Sequence, residues 1–288
     1  MKRRSLLKSA FLLPAAASVT APGLQAASAS PRLFQLGTVT YNLGRTWDLD
    51  TLIANCEETG FAGVELRSTH AHGVEPEIGT AERRMVRQRF QETSVKLVCL
   101  GSACEYHSPD PEVLQQNIRR TRDFLQLAAD VGAPAIKVRP NGIPEQVPVE
   151  ETLRQIGESL AECAETGERL GVDLWVEVHG RKSSHPPYIK KMMDYADSPR
   201  VAVTWNCNPT DLNEGRIEPY FELLQEHIRN VHIRELYEDY PYRKLFSLLR
   251  NSGYAGYTLA EIPEAEGDPI RFMHYYRRLW EELSEVSA

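Results

Sequence analysis

Strand-like and helix-like patterns alternate eight times along this chain, and few folds accept that order. Short β-branched runs read as strands at Phe34–Asn42, Gly63–Arg67, Lys96–Glu105, Ala135–Arg139, Asp173–His179, Val201–Asn206, Asn230–Glu235 and Tyr257–Ile262. Each is followed by a stretch with apolar residues at helical spacing. The first four are Asp48–Thr59, with Leu49, Leu52, Ile53 and Cys56 on one face, then Thr80–Thr93, Pro111–Val131 and Val149–Leu170. The last four are Pro187–Ala196, Ile217–Ile228, Arg243–Asn251 and Asp268–Leu283. Gly60, Gly132, Gly171 and Gly253 stand where helices should stop, and Asp110-Pro111 and Thr80 stand where two should start.

Strands that alternate with helices lie parallel, in either an open doubly wound sheet or a closed barrel. The open sheet usually carries a Gly-rich phosphate turn after its first strand. Here that turn reads Tyr41-Asn42-Leu43-Gly44-Arg45-Thr46, without the G-x-G-x-x-G spacing. Eight units point to a single-domain (β/α)8 TIM barrel over residues 34–285, a fold of about 250 residues. No linker or low-complexity tract divides them.

The 288-residue length exceeds the barrel because the N-terminus reads as an address. Lys2, Arg3, Arg4 and Lys8 precede an apolar run, Ala10 to Ala17, and then Ala27-Ser28-Ala29. A basic start, a short apolar centre and an A-x-A-like end make a cleavable signal peptide over residues 1–29. The apolar run falls short of the roughly 20 residues that a bilayer core requires, so no membrane span remains after cleavage. Arg3-Arg4-Ser5-Leu6-Leu7-Lys8 resembles a twin-arginine signal, so the expected location is periplasmic. Cleavage after Ala29 leaves 259 residues, with 29 basic side chains against 40 acidic ones, a charge of −11. Nucleic-acid binding needs clustered Lys and Arg against phosphates, and this balance excludes that partner class. The five cysteines are an odd number without a C-x-x-C, and they specify no disulfide. A homo-oligomer is compatible with all of these features.

In a barrel the reactive groups stand at the C-terminal ends of the strands, where alternate residues point inward. Glu177 and His179 share a face of strand five, Asn206 ends strand six, His232 lies in strand seven and Glu261 in strand eight. Four consecutive strands thus bring oxygen or imidazole groups to one rim. Buried carboxylates cost several kcal/mol unless a cation or partner neutralises them. A divalent metal is the economical explanation. The same rim receives Glu65 and Arg67 from strand two, His70 and His72 from the next loop, Glu105 and His107 from strand three, and Lys137 and Arg139 from strand four. Glu65, His70, His107, Lys137, Arg139 and His179 are the candidate substrate contacts, since such cations suit an anionic or polyhydroxylated ligand. Each also has a plainer reading. Glu65–Arg67 suits a structural ion pair, His179 a hydrogen-bond partner of a ligand, and Tyr41, Trp175 and Trp205 suit packing.

The segments Gly63-Val64-Glu65-Leu66-Arg67, Trp175-Val176-Glu177, Val203-Thr204-Trp205-Asn206, Asn230-Val231-His232 and Tyr257-Thr258-Leu259-Ala260-Glu261 carry a resemblance. Together they resemble the xylose isomerase-like TIM-barrel superfamily, the sugar phosphate isomerase/epimerase family. The resemblance implies a divalent metal, Mn2+, Mg2+ or Co2+ rather than Zn2+, held by Glu177, Asn206, His232 and Glu261. It also implies proton abstraction beside a sugar carbonyl, with Glu177 or Glu261 as base and acid. Two features depart from the family. Asn206 stands where an Asp is usual, which removes one ligand charge. Pro209 and Ser183 stand where ketose 3-epimerases of the superfamily place a His and a Glu. A small carbohydrate is the expected substrate. The alternatives are a lyase or dehydratase acting on a keto-sugar or keto-glycoside, and a non-catalytic sugar-binding barrel. An apurinic endonuclease of the same superfamily is disfavoured by the charge.

Overall fold

A computed structural model describes residues 33–265 and 267–285 of the chain. The signal-peptide reading of residues 1–29 lies outside the described residues. Eight parallel strands close into a barrel in chain order. They are β1 (Gln35–Val39), β2 (Gly63–Arg67), β3 (Lys96–Glu105), β4 (Ala135–Arg139), β5 (Asp173–Glu177), β6 (Val201–Trp205), β7 (Ile228–Ile233) and β8 (Tyr257–Ala260). The helices alternate with them as α1 (Leu49–Thr59), α2 (Thr80–Gln91), α3 (Pro111–Val131), α4 (Val149–Leu170), α5 (Pro186–Ala196), α6 (Glu218–Leu224), α7 (Tyr242–Asn251) and α8 (Pro269–Ser284). The ring closes where β1 pairs with β8, Thr38 opposite Ala260.

Local chemistry fixes most helix ends. Asp48, Asp110 and Asp268 accept backbone N–H bonds from Thr51, Glu112 and Ile270 at 2.8–3.0 Å, which satisfies donors left free by the first turn. Thr80 opens α2 but does not cap it. Gly79 is the cap, and its N–H donates to Glu82 Oε2 at 2.8 Å. At the far ends, Gly132 turns α3 off with φ 84° while its N–H reaches Ala128 O, a conformation that side chains resist. α6 is shorter than the expected Ile217–Ile228, ending at Leu224, and β7 starts at Ile228, two residues ahead of the expected Asn230.

Two apolar layers result. The larger lies between strands and helices and includes Leu52, Ile53, Phe124, Leu125, Ile156, Leu160, Phe246 and Trp280. Each such side chain contributes about 1.5–3 kcal/mol by leaving water. Trp205 belongs to this layer, fully buried against Phe221 with ring centroids 5.8 Å apart. The smaller layer fills the barrel itself with Val39, Val98, Cys99, Ala135, Trp175, Ala202 and Leu259. Strand alternation then places Lys137 one step above Ala135, Glu177 above Trp175, and Glu261 above Leu259. The apolar floor therefore gives way to a charged layer at the C-terminal end of the strands. All five cysteines are buried free thiols. Among the described residues no helix is long and apolar enough to cross a membrane.

Candidate functional site

Glu177, His232 and Glu261 meet in this charged layer, with one ligand atom from each within 4.8 Å of the others. His232 Nδ1 lies 3.7 Å from Glu177 Oε1 and 3.8 Å from Glu261 Oε2, beyond hydrogen-bond length. Its other nitrogen, Nε2, donates to Glu65 Oε2 at 2.8 Å, which fixes the ring. Glu65 is completely buried and also accepts from Cys99 Sγ at 3.2 Å. Lys137 Nζ donates to Glu177 Oε2 at 2.7 Å and lies 3.5 Å from Glu65 Oε1. Only Glu261 among the three carboxylates reaches outward, with its side chain 17% exposed against 2% for Glu177.

The electrostatics follow from this packing. Burial pushes Glu65 up, but His232 and Lys137 outweigh it and hold the carboxyl at about 2. Burial likewise raises Glu177, and the Lys137 ammonium with His232 brings it well below the usual carboxylate range. Burial pulls the His232 imidazole down, and the carboxylates around it, Glu65 foremost, lift it to about 10. Glu261 is raised, by burial first.

The donor set fits a divalent cation. His232 Nδ1 and both amide atoms of Asn206 are buried without a hydrogen-bond partner. Such orphaned atoms are rare in folded proteins and call for an explanation. Two carboxylates, an imidazole nitrogen presented by its second-nitrogen bond, and an amide oxygen match the oxygen and nitrogen ligands that such ions take. Asn206 directly follows the last residue of β6 and Glu261 the last of β8, so the four expected ligand residues come from four adjacent strands or the residue just past their ends.

A cavity of about 330 Å³ opens before Glu261, lined by Tyr41, Asn42, His179, Arg234 and Glu235 among others. Burial pulls the His179 imidazole down, and its Nδ1 has no partner. Arg234 reaches Asn208 Oδ1 at 3.0 Å. A second cavity of about 470 Å³ adjoins His107, Asn141 and Arg181 on the β3–β5 side.

The expected substrate contacts divide by depth. Glu65 and Lys137 lie deeper than that role needs, spent on His232 and Glu177 beneath the cavity. Arg67 does not pair with Glu65; its guanidinium donates to Ser68. Arg139 is ion-paired to Glu105 at 2.8 Å. His107 Nδ1 sits 3.6 Å from the same carboxylate. His70 bonds Thr40 Oγ1 at 2.8 Å and stacks on Tyr41, with its imidazole lowered to about 4, mainly by burial. His72 is structural, since its two nitrogens bond Arg67 O and Val74 N. Tyr41 and Arg234 are among the lining residues outside the expected contacts. Tyr41, read as packing, is 45% exposed on the cavity wall. Arg234 sits two residues after His232, just past the end of β7, and that alternate spacing is the signal that points to it.

Comparison with known proteins matches residues 53–279 to the profile of the xylose isomerase-like TIM barrel. Among solved structures, the chain is similar to 3-keto-D-glucoside 4-epimerase from E. coli in its apo form, with 16% identity, TM-score 0.72, and coverage of 87% of this chain and 98% of that one. It is also similar to D-psicose 3-epimerase with D-tagatose from Clostridium cellulolyticum H10, with 15% identity, TM-score 0.74, and coverage of 88% and 100%. A third is the IOLI protein with a binding zinc atom, at 13% identity, TM-score 0.72, and coverage of 87% and 96%. At these identities the likeness is one of fold. No curated protein sequence matches the chain.

Proposed function

Since the chain belongs to the xylose isomerase-like TIM-barrel family, we propose that it is a metal-dependent isomerase or epimerase of a sugar or sugar derivative. The observation that carries this reading is the Glu177, His232 and Glu261 cluster, with Glu261 alone reaching the cavity. The epimerases of like fold support a sugar that bears a carbonyl. Glu177, His232 and Glu261 would hold the metal, with the Asn206 amide as a further ligand. When bound, the ion supplies Lewis-acid polarisation of the substrate's carbonyl oxygen.

The chain's own groups then handle the proton. Glu261 takes it from the carbon beside the carbonyl, and the C–H electron pair moves to the carbonyl side to give an enediolate. Return of that proton to the neighbouring carbon is isomerisation. Delivery of a different proton to the other face of the same carbon is epimerisation; His179, which shares the cavity, is the second carrier and gives that proton as an imidazolium, while Glu261 releases its own to solvent. Arg234 and Tyr41 orient the hydroxyls. Glu177 is tied to Lys137 and keeps its carboxylate fixed below.

A lyase is the second reading. If a β-substituent leaves after the same proton abstraction, the product is unsaturated. Ser183, in place of the ketose epimerase Glu, is fully buried and donates to His179 O, so it offers a substrate nothing. A panel of keto- and aldo-sugars and their glycosides, with and without Mn2+, followed by NMR in deuterated water, tests both readings. Solvent deuterium at one carbon identifies the reaction class. E261Q should slow that exchange about 100-fold or more. Unchanged exchange in E261Q would refute the assignment, and binding without any turnover across the panel would favour a sugar-binding protein.

A further inference from the structure

We propose that Lys137 is a resident cation of this centre. It holds Glu177 in place and cancels one carboxylate charge, so that the metal binds exchangeably. The inference rests on the metal-centred reading above and adds a residue that the ligand set does not include.

Lys137 Nζ lies 2.7 Å from Glu177 Oε2 and 3.5 Å from Glu65 Oε1, and its side chain is 3% exposed. Glu177 thus divides its two oxygens. Oε2 faces the ammonium, and Oε1 faces His232 Nδ1 at 3.7 Å. Glu65 is shared between Lys137 and His232 Nε2. The same lysine therefore touches one ligand directly and another through one intervening carboxylate. Around the cluster Glu65, Glu177 and Glu261 carry three negative charges and Lys137 one positive charge, while Asn206 and a His232 that ligates through Nδ1 carry none. Two negative charges remain, which a divalent cation balances. A fixed positive charge beside a bound cation repels it, and the effect is large where water is excluded. The amide at Asn206 acts in the same direction, because it withholds a charge that a carboxylate there would add. Both residues loosen the hold on the ion without removing a ligand. A lysine kept only for packing would stabilise the protein equally with and without metal.

The test uses the chelator-stripped protein and Mn2+ alone, without a substrate. Mn2+ affinity is read by calorimetry, the bound ion by electron paramagnetic resonance, and the Mn2+-induced rise in Tm by thermal unfolding. The proteins compared are the parent, K137M, K137Q and N206D. K137M and N206D should each bind Mn2+ at least tenfold more tightly than the parent. Stripped K137M should melt below the parent, because Glu65 and Glu177 lose their partner, and Mn2+ should raise its Tm further than it raises the parent's. K137Q keeps a donor but no charge, and should also bind more tightly. If N206D tightens while K137M and K137Q bind no better than the parent, the role given to Lys137 is wrong and the metal centre stands. If none of the four proteins binds Mn2+, the metal-centred reading itself fails. Should K137M not fold without metal, K137Q decides alone, and a K137Q no tighter than the parent overturns the proposal.

Discussion

Asp211→Asn should make the protein more stable at alkaline pH and remove a pH dependence. Asp211 ends the short 3-10 turn Pro209–Asp211 after β6 and is completely buried. Its Oδ2 accepts from Asn208 N at 2.7 Å and from Tyr240 OH at 3.0 Å, while Oδ1 has no partner. Burial pushes the carboxyl from 3.8 up to about 7, and the two hydrogen bonds only partly oppose this. A carboxyl raised in the folded state binds its proton more tightly there than in the unfolded chain. Its contribution is therefore greatest below pH 3.8, falls as pH rises towards 7, and is constant above that. A shift of about three units corresponds to a loss of about 4 kcal/mol across the window. The amide of D211N stays neutral, and its oxygen accepts the same two bonds. Its NH2 takes the unpartnered position, at a cost of about 1–3 kcal/mol. The net gain at pH 8 should be about 1–3 kcal/mol. Urea unfolding of both proteins at several values between pH 5 and pH 8 measures it. The difference should grow with pH up to about 7 and then level off. A flat difference, or a D211N less stable at pH 8, would refute the ionisation assigned to this buried carboxyl. Function follows the same anchor, because Asn208 in this turn receives the Arg234 guanidinium that lines the cavity.

Three further outcomes are expected. A Cβ at Gly37 would lie 2.4 Å from Gly63 O and 2.6 Å from Leu259 Cδ2, so G37A should lower stability by about 1–3 kcal/mol in urea unfolding, and an unchanged midpoint would contradict the packing. R234M should raise the KM of whichever sugar turns over by about tenfold, the value of a charged hydrogen bond, with a smaller effect on kcat. We also propose export by the twin-arginine route. N-terminal sequencing of the periplasmic fraction should find Ser30 first, and R3K/R4K should keep the precursor in the cytoplasm; a periplasmic level unaltered by that change would remove the twin-arginine assignment.

The barrel was legible because each βα unit announces itself locally. Gly63–Arg67, Lys96–Glu105 and Ala135–Arg139 have the bounds that their apolar alternation indicates, and so do Pro111–Val131 and Val149–Leu170. The expected strand ends at Asn42, His179, Asn206, Glu235 and Ile262 run past the observed ones. Asn42, His179, Glu235 and Ile262 sit at the mouth, where the chain leaves the ladder and lines the cavity, whereas Asn206 is fully buried. The candidate ligands were legible for a related reason, since one polar residue on an inward face is conspicuous at the end of an apolar strand. Depth was not legible. Whether Lys137 faces a substrate or Glu177 depends on the register between β4 and β5, which pairs Lys137 with Trp175 and so sets the ammonium beside Glu177. Glu65 could not be assigned to His232 either, because 167 residues separate them and only barrel closure brings them together.

That closure also orders events in time. The β1–β8 seam joins residues 222 apart, as in the bond from Thr38 Oγ1 to Ala260 O. Contacts of such separation form late and slowly, because the chain entropy of the intervening loop must be overcome first. The Lys137–Glu177 pair, 40 residues apart, can assemble within a half-formed sheet. His232 and Glu261 can meet Glu65 and Glu177 only once the last strands dock. A nascent chain therefore assembles the Glu177, His232 and Glu261 cluster only when folding is nearly complete, so the candidate ligands are the last part of the barrel to come together.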